Sequence, residues 1–190
     1  QMLSSGQAAA MYLRRQWPGK RVFLLGNDSL RREMEAYGIP LDQESPELVL
    51  VGFDTSLTYE KMCRVCDLVR AGLPYIATHP DFNCPTETGF VPDIGAIMAF
   101  IQASTGRKAD LIIGKPHAEI VRAACERTGL APSQMAVVGD RLYTDIQTGL
   151  SHGLLAIMVL TGEGTVEEIE RTGVELSLIH ISEPTRLGMI

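Results

Sequence analysis

No apolar run in this sequence approaches the roughly 20 residues that a bilayer-spanning helix requires, and no signal-peptide pattern opens it. Basic residues are few: 17 Lys and Arg stand against 23 Asp and Glu, a net charge of -6, and they form no cluster. A nucleic-acid partner, which calls for a concentrated positive face, is therefore not expected. A small anionic ligand needs only local positive charge. Cysteine is scarce as well. The four cysteines show no framework spacing, so reduced thiols and a cytoplasmic setting are expected. Cys63-Arg64-Val65-Cys66 falls in mid-helix, where a redox pair lacks the helix N-terminus that stabilises a thiolate. A zinc site would need Cys84 and Cys125 to converge on it from separate elements. Both nucleotide fingerprints are missing too. Gly26-Asn27-Asp28-Ser29 lacks their glycine spacing and reads as a strand-to-helix turn capped by Asp28 or Ser29. A dinucleotide-binding module is disfavoured on that ground.

What is present is an alternation of short apolar runs with helical patterns, the sign of a parallel sheet covered by helices. With 190 residues, 45% of them hydrophobic, the chain suits one or two small domains. Strands are expected at Arg21–Leu25, Leu48–Val51, Tyr75–Ala77, Leu111–Ile113, Met135–Val138 and Leu155–Val159. Helices are expected at Gln7–Arg15, Ser29–Tyr37, Thr58–Ala71, Asp93–Thr105, Pro116–Thr128, Tyr143–Ser151 and Thr165–Arg171. Gly38, Gly72, Gly106, Gly129 and Gly153 follow helices where a left-handed residue is wanted, and Pro116 suits a first helical turn. Thr78 to Pro92 shows no clear element, and unstructured connections of that length are often functional. A domain boundary is expected at Lys108/Ala109, where the polar Thr105–Lys108 stretch gives way to an apolar strand.

The most informative stretch is Gly139-Asp140-Arg141-Leu142-Tyr143-Thr144-Asp145-Ile146. An apolar strand ends there at a glycine and an aspartate, and a second aspartate follows just inside a helix. The strand tips of a parallel sheet form the crevice where ligands collect, and carboxylates placed there are suited to a hard cation such as Mg²⁺. Upstream, Gly114-Lys115-Pro116 repeats the geometry with a cation. Lys115, Asp140 and Asp145 thus fit a phosphate and its metal. Two of them also have a plainer reading: Lys115 as a solvated lysine, Asp145 as a carboxylate favoured by the helix dipole; Asp140 after a buried strand is harder to dismiss.

Together with Val159-Leu160-Thr161-Gly162, these motifs resemble the C-terminal half of a haloacid-dehalogenase-superfamily phosphatase, in the branch of the NagD-type and 4-nitrophenylphosphatase-type enzymes. Val51-Gly52-Phe53-Asp54 through Lys61, Ile76-Ala77-Thr78 and Thr105-Gly106-Arg107 are similar to that branch's α/β cap. The resemblance implies an α/β fold with an inserted cap domain at 1–108 and part of a doubly wound, Rossmann-like core at 109–175. It implies Mg²⁺ held by Asp140, catalytic roles for Lys115 and Asp145, and a substrate bordered by the backbone of Arg141, Leu142, Tyr143 and Thr144. His79, Asp81 and Asn83 fall where the family's cap loop meets the leaving group, with His79 standing where many relatives have Asn. The expected substrate is a small phosphorylated metabolite, hydrolysed through an aspartyl-phosphate intermediate. A homodimer is open to the protein, since cap surfaces in this branch can mediate dimers.

The family's nucleophilic Asp-x-Asp and its Thr/Ser-Asn motif have no counterpart here; Asp28, Asp54 and Asp81 all lack the arrangement. These motifs are expected to lie before Gln1, leaving the polypeptide inactive by itself. At the other end, Leu176 to Arg186 reads codon by codon as a transposase-derived sequencing adapter, with Leu187, Gly188 and Met189 as index-dependent residues and Ile190 matching the next adapter codon. The segment 176–190 is therefore set aside, with a short amphipathic segment as the alternative. For the whole chain the alternative function is a non-catalytic α/β ligand-binding or regulatory protein.

Overall fold

In the computed structural model, which describes residues 2–160, 162–174 and 181–182, the chain divides into two units, 1–114 and 115–190. The first is built on β1 (Val22–Leu25), β2 (Leu48–Val51) and β3 (Tyr75–Ala77), each buried end to end. With β6 (Leu111–Ile112) they form a parallel sheet in the order β1-β2-β3-β6. Unbroken apolar runs such as Leu48–Val51 are what a strand covered on both faces requires. Successive side chains face opposite ways. Phe23, Leu25, Val49, Val51, Tyr75 and Ala77 pack against α3 (Tyr59–Arg70) and α4 (Ile94–Thr105), chiefly through Val65, Val69, Ile94 and Ile101. The alternate residues Val22, Leu24, Leu48, Leu50 and Ile76 are equally buried. α1 (Ser5–Gln16) and α2 (Asp28–Ala36) pack on each other and bury Ala8, Ala9, Ala10, Leu13, Leu30 and Met34.

Helix ends follow their local chemistry. Ser4, Thr58 and Thr165 accept from backbone N–H groups as N-caps of α1, α3 and α7 (Val166–Thr172). The turn before α2 is capped by Asn27, whose Oδ1 accepts from Leu30 N at 2.9 Å; neither Asp28 nor Ser29 does this. The five glycines expected after helices all adopt positive φ, between 70° and 89°.

Three elements differ from expectation. The Thr78–Pro92 stretch contains an antiparallel ribbon, β4 (Asn83–Thr86) with β5 (Gly89–Pro92), joined by Glu87-Thr88. Its two prolines hid it, yet both strands of a ribbon are edges, where a missing N–H is tolerated. Pro116 is not in a helix: the Lys115–Pro116 bond is cis, and α5 (Ala118–Thr128) starts two residues later with His117 at its N-cap. Leu111–Ile112 pairs with β3 of the first unit, so the division falls after Gly114 rather than at 108/109.

The second unit is a parallel sheet of β7 (Ala136–Gly139), β8 (Leu155–Val159) and β9 (Ile181–Ser182), in that order. Apart from the Ile181–Ser182 backbone and its pairing with β8, the segment 176–190 lies outside the described residues. Between β7 and β8 the chain makes a wide π-type turn, Leu142–Ile146, and then α6 (Gln147–His152). The core is small: Leu142, Ile146, Ala156 and Met158 are buried, with Val137, Leu160, Ile169 and Val174 packed against them. Among the described residues β7 has a strand neighbour on one side only, and Val138 at its centre is 59% exposed. No helix of the described residues is long and apolar enough to cross a membrane.

Candidate active site

The C-terminal end of β7 in the second unit gathers the residues that the sequence singled out. Asp145 lies in the π-type turn, only 6% exposed, and its Oδ1 receives a hydrogen bond from Lys115 Nζ. Thr144 Oγ1 donates to the other carboxylate oxygen at 3.4 Å. The Lys115 side chain is 48% exposed, so its stem is partly covered while its ammonium stays reachable. Gly139 lets the carboxylate tuck in: a Cβ at Gly139 would land on the Asp145 side chain. Asp140 follows directly. One end of one strand therefore carries an ammonium, a buried carboxylate that fixes it, and a second carboxylate.

Asp140 is held from the far side of the crevice. Its Oδ2 accepts from the backbone N of Glu163 at 2.8 Å, and Gly162 has no Cβ because one would collide with the Asp140 carboxylate. Gly164 stands in the same relation to the Asp140 carbonyl oxygen. The Glu163 side chain reaches back across the turn, accepting from Arg141 at 2.6 Å and from the Tyr143 hydroxyl at 3.3 Å. Gly162-Glu163-Gly164 is thus a clasp on the loop after β7. Two glycines around one carboxylate, just past a strand, were the available signal. Within 141–144, Leu142 and Thr144 are buried while Tyr143 is exposed; two of these four side chains turn away from solvent.

His79, Asp81 and Asn83 lie in the first unit. His79 faces Asp93, with Nε2 3.1 Å from Asp93 Oδ2, while its Nδ1 sits 3.3 Å from Ser5 Oγ and 3.3 Å from Thr78 Oγ1. The Asp81 carbonyl accepts from Gly95 N at 2.7 Å. Asn83 opens the exposed ribbon. Sequence reasoning passed over Asp93, which caps α4. Asp54, set aside in the sequence as a nucleophile, is a buried carboxylate after β2 that accepts from Lys61 Nζ at 2.8 Å and from both the backbone N and the hydroxyl of Ser56. Cys63 is exposed, Cys66 is buried, and all four cysteines are free thiols.

Comparison with known proteins places the chain in a family. The HAD-hydrolase-like family profile matches residues 112–181. An acid sugar phosphatase of Staphylococcus aureus (strain MRSA252) is 37% identical over 175 residues, spanning 92% of this chain and 67% of that protein. The crystal structure of 4-nitrophenylphosphatase from Thermotoga maritima superposes with a TM-score of 0.86 at 47% identity, covering 94% of this chain and 67% of the other. NagD from E. coli K-12 gives 0.85 at 32% identity, covering 96% and 70%. This chain belongs to the haloacid-dehalogenase-like hydrolases, as a NagD-like member of a family of phosphoric monoester hydrolases.

Proposed function

We propose that this chain supplies the Mg²⁺-binding and phosphate-binding half of a phosphatase that hydrolyses small phosphorylated metabolites through an aspartyl-phosphate intermediate. The observation that carries the reading is Lys115 anchored on buried Asp145 at the strand end that bears Asp140. Among the described residues Asp140 uses only Oδ2 within the protein, which leaves Oδ1 for a hard cation. Mg²⁺ is commonly held by one or two carboxylates plus substrate phosphate, so a single strand-tip aspartate fits it. The bound ion would neutralise phosphoryl charge.

The remaining work falls to the chain's own groups. Lys115 sets a fixed positive charge against the phosphoryl oxygens. Because Asp145 already orients its Nζ, little reorganisation is needed as charge develops, and a donor of this kind is worth about 3 kcal/mol in the transition state. The backbone of residues 141–144, stiffened by the Glu163 clasp, borders the ester. From the family resemblance we assign His79, Asp81 and Asn83 to the leaving group. The acid sugar phosphatase relative supports sugar phosphates as the substrate class. The sequence holds no Asp-x-Asp to supply the family's nucleophile.

The test is phosphate release from 4-nitrophenyl phosphate. The polypeptide alone should give none. Joined to a segment of a relative that carries the Asp-x-Asp strand, it should turn over in a Mg²⁺-dependent manner. An inert joined protein, across a broad panel of phosphate esters, would remove the support for a phosphatase.

A further inference from the structure

A second constellation of ligand atoms lies entirely within the first unit. His79, Asp81 and Asp93 each offer one ligand atom, and these atoms all lie within 4.8 Å of one another. We propose that they form a binding site for a borderline divalent cation such as Zn²⁺ or Co²⁺. Its ligands do not include Asp140, and the proposal does not depend on the phosphatase reading.

The geometry between His79 and Asp93 is the first support. Two ligands of a tetrahedral Zn²⁺, each about 2.0–2.1 Å from the metal, stand about 3.3 Å apart; His79 Nε2 and Asp93 Oδ2 are 3.1 Å apart. The second support is the other ring nitrogen. A metal-ligating imidazole gives its remaining N–H to an oxygen partner that fixes its orientation. Here Nδ1 has two hydroxyl oxygens, Ser5 Oγ and Thr78 Oγ1, each 3.3 Å away. In the tautomer that donates Nδ1–H to them, Nε2 is the acceptor nitrogen beside the Asp93 carboxylate, the pair of atoms that a cation would bridge in place of the proton that otherwise joins them.

The ligands are also held before any ion arrives. Asp93 is the N-cap of α4 and spends Oδ1 on Ile94 N at 2.7 Å, which turns Oδ2 toward His79. A Cβ at Gly114 would meet His79, and one at Gly95 would meet the backbone of Pro80 and Asp81. Both flanks of the His79-Pro80-Asp81 segment are thus packed against backbone that tolerates no side chain. Chemistry selects the ion. One imidazole nitrogen with two carboxylate oxygens suits zinc and its neighbours, whereas Mg²⁺ and Ca²⁺ favour oxygen alone. The His79 and Asp93 side chains are 22% and 8% exposed, so the site is sheltered yet reachable. Ion binding there would tie the start of the ribbon to the head of α4.

The experiment is a Co²⁺ titration of the polypeptide, after chelator treatment and thiol alkylation, in excess Mg²⁺, read by visible absorption. One equivalent should bind with the spectrum of a four-coordinate ion. His79→Gln and Asp93→Asn should each weaken binding at least tenfold with unchanged circular dichroism, since Asn still caps α4. Asp140→Asn should leave the titration as it is. Absence of the band overturns the proposal, as does a titration untouched by His79→Gln and Asp93→Asn or one lost in Asp140→Asn. A failed titration leaves the phosphatase reading standing; an inert joined enzyme leaves this site standing.

Discussion

Asp54 shows how a single buried group links sequence, stability and pH. Burial pushes its carboxyl upward more than any other single influence. Hydrogen bonds from the Lys61 ammonium, the Ser56 hydroxyl and the Ser56 backbone together outweigh that, and the carboxyl is held below its ordinary value. A group whose folded value is depressed contributes stability that is complete above its unfolded value and is lost as pH falls through the folded one. Unfolding midpoints measured down the acid range should therefore fall as pH drops below the ordinary carboxylate range, and Asp54→Asn should flatten that fall. At neutral pH the same substitution should cost roughly 1–3 kcal/mol, the scale of hydrogen bonds to a charged group. Tyr75 gives the opposite case. Its hydroxyl is buried without a hydrogen-bond partner among the described residues, and burial raises its ionisation well above the usual phenol value. Since an unsatisfied buried hydroxyl carries a desolvation penalty, Tyr75→Phe should be neutral or stabilise by up to about 1 kcal/mol in urea unfolding. A clear destabilisation would mean that the hydroxyl has a partner.

At the scale of elements, β1, β2 and β3 were legible because a four-residue apolar run bounded by polar turns admits few other readings. The glycines closing the helices were equally legible, since a left-handed residue after a helix is a local requirement. The ribbon was not. Its residues Asn83–Pro92 bury almost nothing, so no hydrophobic alternation marks it, and two prolines argue against strand. β6 was found but placed in the wrong unit: its partner, β3, is set by tertiary pairing that a two-residue strand cannot announce. The placement of Lys115, Asp140 and Asp145 could be read because each sits at a strand-to-helix junction. Glu163 and Asp93 could not, because their importance lies in contacts that cross from one loop to another. The ribbon's exposure has a measurable consequence. Limited proteolysis should cut first at Glu87-Thr88, and amide exchange should be fastest across 83–92 and slowest in β1 to β3. Early protection of the ribbon would contradict this account of what holds the first unit together.

For the molecule as a whole, the decisive property is the pairing of fixed charges at one strand end in the second unit. Lys115 and Asp145 form an ion pair whose acid is buried and whose base is half in water. Asp140 is braced by a loop from beyond β8. Under the proposed function this arrangement would give a metal-bound phosphate a preformed electrostatic partner, in a chain that belongs to a family of phosphoric monoester hydrolases. The most direct test is the steady-state turnover of 4-nitrophenyl phosphate by the chain joined to an Asp-x-Asp segment, comparing Lys115→Met and Asp140→Asn with the parent. Each variant should lower kcat by roughly 10²-fold or more, and Asp140→Asn should raise the Mg²⁺ concentration needed for half-maximal rate. Undiminished kcat in both, with the Mg²⁺ requirement unchanged, would contradict the account.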